Sequence, residues 1–162
     1  MASRTGSALL ATILWCAPIA ASARQEPSQS RVASQIKADV AEIIAGINAK
    51  DIDRATKFDA PDLISMESMR EPSIGAKADR DGLSMAFKYA PEWHLTLIDE
   101  AVEVSKSADL AIYRSTYNED SVERGVPFTH KVNYLAEFKR GADGTWRVHW
   151  SVVCAQSPPR KK

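Results

Sequence analysis

The stretch GADGTWRVHWSVVCA, residues 141–155, decides how the chain is read. Gly141-Ala142-Asp143-Gly144 is a turn, and its Asp-Gly pair is a strong hairpin signal. The residues after it alternate as a strand does, with successive side chains on opposite faces. Trp146, Val148, Trp150 and Val152 fall on one side; Arg147, His149, Ser151 and Val153 fall on the other. Such a strand is either plain core or the wall of a pocket.

The same alternation runs back to Pro91. Residues 93–105, 109–118, 129–139 and 145–155 read as four strands. Short polar stretches join them: Lys106-Ser107-Ala108, then residues 118–126 with Gly125, then the Asp-Gly turn. Upstream of Pro91 the period changes to that of helices. Val32, Ile36, Val40, Ile43, Ile44 and Ile47 recur at steps of three and four and predict a first helix. Asp51 is a suitable N-cap for a shorter second helix over 52–58. Pro61 ends that unit, and residues 63–66 read as a short strand. Residues 67–78 read as a loop with Pro72 and Gly75 as breakers. A third helix runs over 79–89, although Gly82 costs it about 1 kcal/mol of propensity. Helices first and antiparallel strands afterwards predict an α+β domain. Three helices packed on a strongly curved sheet make a cone, and its open end is a pocket.

Length and composition bound what such a domain does. At 162 residues the chain suits one domain, expected over 32–156, with a loose lead-in at 24–31 and a basic tail at 157–162. Its 21 basic and 21 acidic residues leave no net field to draw nucleic acid or acidic lipid. No Gly-rich phosphate loop, C-x-x-C or H-x-x-x-H occurs, so neither metal nor cofactor is expected.

The first 23 residues read as a secretory signal peptide. Arg4 supplies the positive start, residues 8–20 the apolar run, and Ala21-Ser22-Ala23 the small-x-small cleavage pattern. The apolar run is shorter than the ~20 residues of a bilayer-spanning helix. The expectation is a chain cleaved near Ala23 and located in a periplasm or secreted, with no membrane segment in the mature form. The alternatives are an uncleaved anchor and a lipid on Cys16, where Trp15 stands in place of the small residue that such processing needs. Cleavage removes Cys16 and leaves Cys154 without an internal disulfide partner.

Three stretches resemble the NTF2-like superfamily in its SnoaL-like, ketosteroid-isomerase-like (DUF4440-type) branch. They are INAKDIDRATKFDAPD at 47–62, IGAKADRDGLSMAF at 74–87 and FKRGADGTWRVHWS at 138–151. The likeness covers nearly all of residues 32–155. It implies a cystatin-like cone, a small hydrophobic ligand and a homodimer through the sheet. Function is less bounded, because this fold hosts unrelated activities.

The ketosteroid isomerase mechanism uses a carboxylate base with a tyrosine and a protonated aspartic acid as an oxyanion hole. By resemblance the helix tyrosine falls at about Ile43, which cannot donate a hydrogen bond. The base falls near Glu67, and the oxyanion-hole acid near Tyr134 with Asn133 adjacent. The resemblance therefore implies Glu67 and Tyr134 as the pair that would move a proton beside a carbonyl. The ligand wall it implies takes in Phe58, Phe87, Trp93, His130, Asn133, Trp146, His149 and Trp150. Each has a plainer alternative. Glu67 opens a polar loop, Tyr134 shares a strand face with Phe128, His130, Val132, Ala136 and Phe138, and the tryptophans serve equally as core. Asp59 and Asp62 flank Ala60-Pro61, where turn formation accounts for them. The competing reading is a non-catalytic, homodimeric interaction module whose pocket is filled by its own side chains.

Overall fold

The computed structural model describes residues 28–68, 70–156 and 160–161, with backbone alone at Glu123, Arg160 and Lys161. The segment read as a signal peptide lies outside the described residues. Among those described, no helix is long and apolar enough to cross a membrane.

Helix α1 runs over Gln29–Ala49, beginning inside the expected lead-in because Ser28 caps its first turn through Arg31 N–H. It buries Val32, Ile36, Val40 and Ile47, the stripe predicted from spacing. Lys50 ends it in the left-handed conformation, at φ 58°. Asp51 caps α2 (Ile52–Ala55), which lasts a single turn. Gly46 lets α2 close on α1: a Cβ there would lie 2.4 Å from the Ala55 nitrogen. Asn48 fixes α1 to the sheet, donating to Leu95 O at 2.9 Å and accepting from Leu95 N–H at 2.8 Å.

The strands are β1 (Asp59–Glu67), β2 (Ser73–Ile74), β3 (His94–Val104), β4 (Leu110–Glu123), β5 (Val126–Arg140), β6 (Trp146–Ala155) and β7 (Arg160–Lys161); α3 (Ala76–Tyr89) lies between β2 and β3. They form one open, curved sheet in the order β2-β1-β6-β5-β4-β3, with β7 paired to β5. All pairs are antiparallel except β1 with β6, which run parallel. The fold is thus the α+β cone expected from the sequence, with one parallel pair inside it.

Several boundaries differ from the expectation. β4 and β5 continue through residues 118–126, expected as a loop, and meet at a two-residue turn. Arg124 and Gly125 there both have positive φ, 51° and 79°, as the tight hairpin turn that follows the sheet's twist requires. β1 starts four residues earlier than predicted and passes through Pro61, where the β1–β6 register is irregular between Asp59 and Ile64. A missing N–H is tolerated where no ladder bond is demanded of it. Part of the expected tail, 160–161, pairs with Phe128 and Thr129 of β5.

The consequential difference is a bulge in β6. Glu137 pairs with Trp150 and Phe138 with Val148, which leaves His149 as an extra residue. The alternation therefore reverses in mid-strand. Trp146 and Val148 face inward before the bulge, and Ser151 and Val153 face inward after it. Trp150 and Val152, expected on the same face as Trp146, lie on the other.

The inward faces form two clusters. One holds Tyr113, Phe138, Ile36, Leu63, Trp146 and Val148, and fills the narrow end of the cone. The second gathers Ile47, Ala55, Leu95, Tyr117 and Val132, with Leu83, Phe87 and Trp93 packed on it.

Candidate functional site

Between α1, α3 and the concave face of the sheet lies a cavity of about 370 Å³. This is within the usual range for a small-molecule site. Its apolar wall comes from Val40, Ile43, Ile44 and Ile47 of α1 and Leu83 and Ala86 of α3. The sheet contributes a polar wall, because the inward positions of its strands change character along their length. β4 presents Ser115, Tyr117, Glu119 and Ser121; β1 presents Asp59, Leu63, Ser65 and Glu67; β6 presents Ser151 and Val153.

Among the polar groups is a pair of carboxyls. Asp59 comes from the start of β1 and Asp79 from the first turn of α3. Burial pushes Asp59 up to about 8, and the negative charge of Asp79 adds to the shift. Asp59 Oδ2 is buried with no hydrogen-bond partner among the described residues. Burial also raises Asp79; a hydrogen bond with Ser65 opposes the rise and Glu67 adds to it. Ser65 is in turn within 3.4 Å of the Ser151 hydroxyl. Tyr134 lines the same space, its ring 6.0 Å from that of Tyr113. Burial raises its phenol, with Tyr117, Asp59 and Asp79 adding to the effect, so it stays protonated.

Nearer the mouth stand Glu67 and Glu119. Glu67 is half exposed and ion-paired to Arg70 at 2.9 Å. Burial raises Glu119, Glu67 adds to the rise, and His130 and the Trp93 indole oppose it. His130 is the cross-strand partner of Glu119, and its ring packs 4.7 Å from that of Phe128. Trp93 is fixed from behind by Lys50, whose ammonium donates to the Trp93 and Ile47 carbonyls and lies 5.6 Å from the Phe87 ring centre.

Of the residues singled out in the sequence, Glu67, Tyr134 and Trp93 border the cavity. Phe87 packs behind Trp93 at 6.1 Å. The others lie elsewhere. Trp146 is buried in the filled end. Trp150 pairs outward, between Ile64 and Glu137. His149, the bulged residue, meets Asp62 at 3.3 Å. Asn133 is exposed, within reach of Thr116 and Gln156. Phe58 sits under Lys57, outside the cavity wall. His130 pairs directly across from Glu119 and is outside the cavity lining. The bulge accounts for His149 and Trp150, and strand parity for Asn133, since inward Val132 and Tyr134 flank it.

Sequence reasoning missed Asp59, Asp79 and Glu119. For Asp59 a signal existed: it is in phase, at even spacing, with Leu63, Ser65 and Glu67.

No family model matches the sequence, and no curated protein matches it. Solved structures do. A nuclear transport factor 2 (NTF2-like) superfamily protein from Salmonella enterica serovar Typhimurium is 13% identical, with a TM-score of 0.72 over 81% of this chain and 95% of that one. A ketosteroid isomerase-like protein from Erwinia carotovora atroseptica is 23% identical, with a TM-score of 0.59 over 77% and 96%. A hexachlorocyclohexane dehydrochlorinase is 15% identical, with a TM-score of 0.65 over 78% and 90%. The chain has the NTF2-like, cystatin-like fold that its sequence resembles.

Proposed function

We propose that this domain binds a small, mainly apolar molecule in the cone and moves a proton on it. The observation that carries this reading is the Asp59–Asp79 carboxyl pair, with the Tyr134 phenol beside it, in a cavity with one apolar wall. Two nearby carboxyls in a poorly solvated site do not both ionise at neutral pH, so the pair retains a proton. Protonated Asp59 and Tyr134 donate hydrogen bonds to a developing oxyanion on the ligand. Asp79, oriented by Ser65, accepts the proton from the adjacent carbon and returns it. The dehydrochlorinase and the ketosteroid isomerase-like protein of the same fold support the class of reaction by analogy only.

Export to a periplasm or beyond belongs to the same proposal and rests on residues 1–23. So does a homodimer through the convex face of the sheet, where Ile64 and Leu135 are 41% and 37% exposed beside Trp150 and Val152.

The test is proton exchange. A panel of hydrophobic ketones is incubated with the protein in deuterated buffer, and exchange at the carbon beside the carbonyl is followed by NMR. At least one ketone exchanges faster than in buffer, and Asp59→Asn and Asp79→Asn each slow it about 100-fold or more. Exchange at the buffer rate across the panel removes the proposed reaction.

A further inference from the structure

The mouth of the cavity says more about the ligand than the carboxyl pair does. Five of the residues bordering the cavity are acidic: Asp59, Glu67, Glu71, Asp79 and Glu119. One, Arg70, is basic, and it is exposed and tied to Glu67. Two further basic residues stand beside the cavity: His130, the cross-strand partner of Glu119, and Lys50, engaged with two backbone carbonyls behind Trp93. Glu67 on β1 and Glu119 on β4 feel each other's charge across the opening. Aromatic residues border the same cavity: Tyr117 two residues before Glu119 on β4, Trp93, and Phe128 on β5.

We infer that the ligand is an organic cation, an amine whose charged nitrogen sits between Glu67 and Glu119 against the aromatic faces, with its apolar body in the cone. This rests on the proposed function for the occupancy of the cavity and goes beyond it in naming the ligand's charge. Half-buried carboxylates facing one another across a hollow repel, and a cation relieves that repulsion where a neutral molecule leaves it in place. An anion adds to it. The Trp93, Tyr117 and Phe128 rings attract a cationic group over their faces. A metal ion is a poor fit for this mouth. Among the described residues, no three acidic, histidine or cysteine side chains converge closely enough to hold one. An ammonium needs no such convergence, since it can be held by separated carboxylates and ring faces.

The test uses three probes of one shape: naphthylethylamine, naphthylethanol and naphthylacetate. Binding of each to the full chain is measured by isothermal titration calorimetry at neutral pH. The amine binds at least about 10-fold tighter than the alcohol, and the acetate binds weakest. Glu119→Gln removes most of the amine's advantage over the alcohol and Glu67→Gln part of it, and the circular dichroism spectra of both variants match that of the wild type. An alcohol that binds as tightly as the amine, an acetate that binds best, or an amine preference that survives both substitutions overturns the inference. The two readings fail separately. Ketone exchange without amine preference removes the cation alone, and amine preference without exchange on any ketone removes the reaction alone. A wild-type protein that binds none of the three probes removes the cation, and ketone exchange then decides the reaction.

Discussion

The two ends of the cone are built from the same strands and differ in what those strands turn inward. At the narrow end, Tyr113 and Phe138 are fully buried and meet Ile36, Leu63, Trp146 and Val148. Toward the mouth, the same faces of β4, β1 and β6 carry Ser115 and Glu119, Ser65 and Glu67, and Ser151. Along β4 small and acidic residues replace large apolar ones at an unbroken strand period, whereas in β6 the change comes with the bulge at His149. The sheet is therefore closed by packing at one end and left hollow at the other. The larger of the two buried clusters lies at the filled end; the hollow end carries carboxyls that a purely structural core would not hold.

That contrast can be broken most severely at the filled end. Phe138→Ala leaves a void among fully buried neighbours and should lower unfolding free energy by about 3–5 kcal/mol. Phe87→Ala, at the mouth and half-buried, should cost less than half as much in the same urea titrations.

The hollow end should reveal itself through pH. Asp59 is raised from 3.8 to about 8 in the folded chain. Between those values the folded state holds a proton that the unfolded state has released. The stability associated with neutral Asp59 is thus fully present at low pH and is lost as pH rises toward 8. Asp59→Asn removes that dependence. Relative to the wild type, the variant should gain roughly 1–3 kcal/mol as pH rises from about 5 to about 8. Parallel pH profiles for the two proteins would place Asp59 in contact with bulk water and in the ordinary carboxylate range.

A smaller effect is expected where α1 is fastened to the sheet. Asn48→Ala leaves Leu95 N–H and C=O without the two side-chain bonds and should cost about 1–2 kcal/mol. Hydrogen exchange at Leu95 checks this locally. The smallest effect is expected at His149. It lies outside the lining of the hollow and meets an exposed Asp62, so His149→Ala should change stability by less than about 0.5 kcal/mol. It should also leave ligand binding within about twofold, a difference of roughly 0.4 kcal/mol. A large loss of binding on that substitution would contradict the bulge.

The filled end was the more legible in sequence. Its α1 stripe, its strand alternation and its Asp-Gly turn are periodic signals, and packing enforces the same periods. The hollow end obscured itself in two ways. Glu119, Asp120 and Ser121 read as loop residues because a strand turning acids inward lacks the apolar alternation that marks a half-buried strand. The bulge at His149 is written in the β5 pairing rather than in β6 itself, and a single extra residue exchanges the faces of everything after it. Asp59 was masked by Pro61, a turn residue that here lies within a strand.

The claim on which the site rests is that Asp59 is held neutral inside a hollow. Its carboxyl carbon, followed by NMR through a pH titration of the unliganded protein, measures this directly. A midpoint near 8 is the expected result. A midpoint at about 4, the ordinary value for a solvated aspartate, would contradict the account.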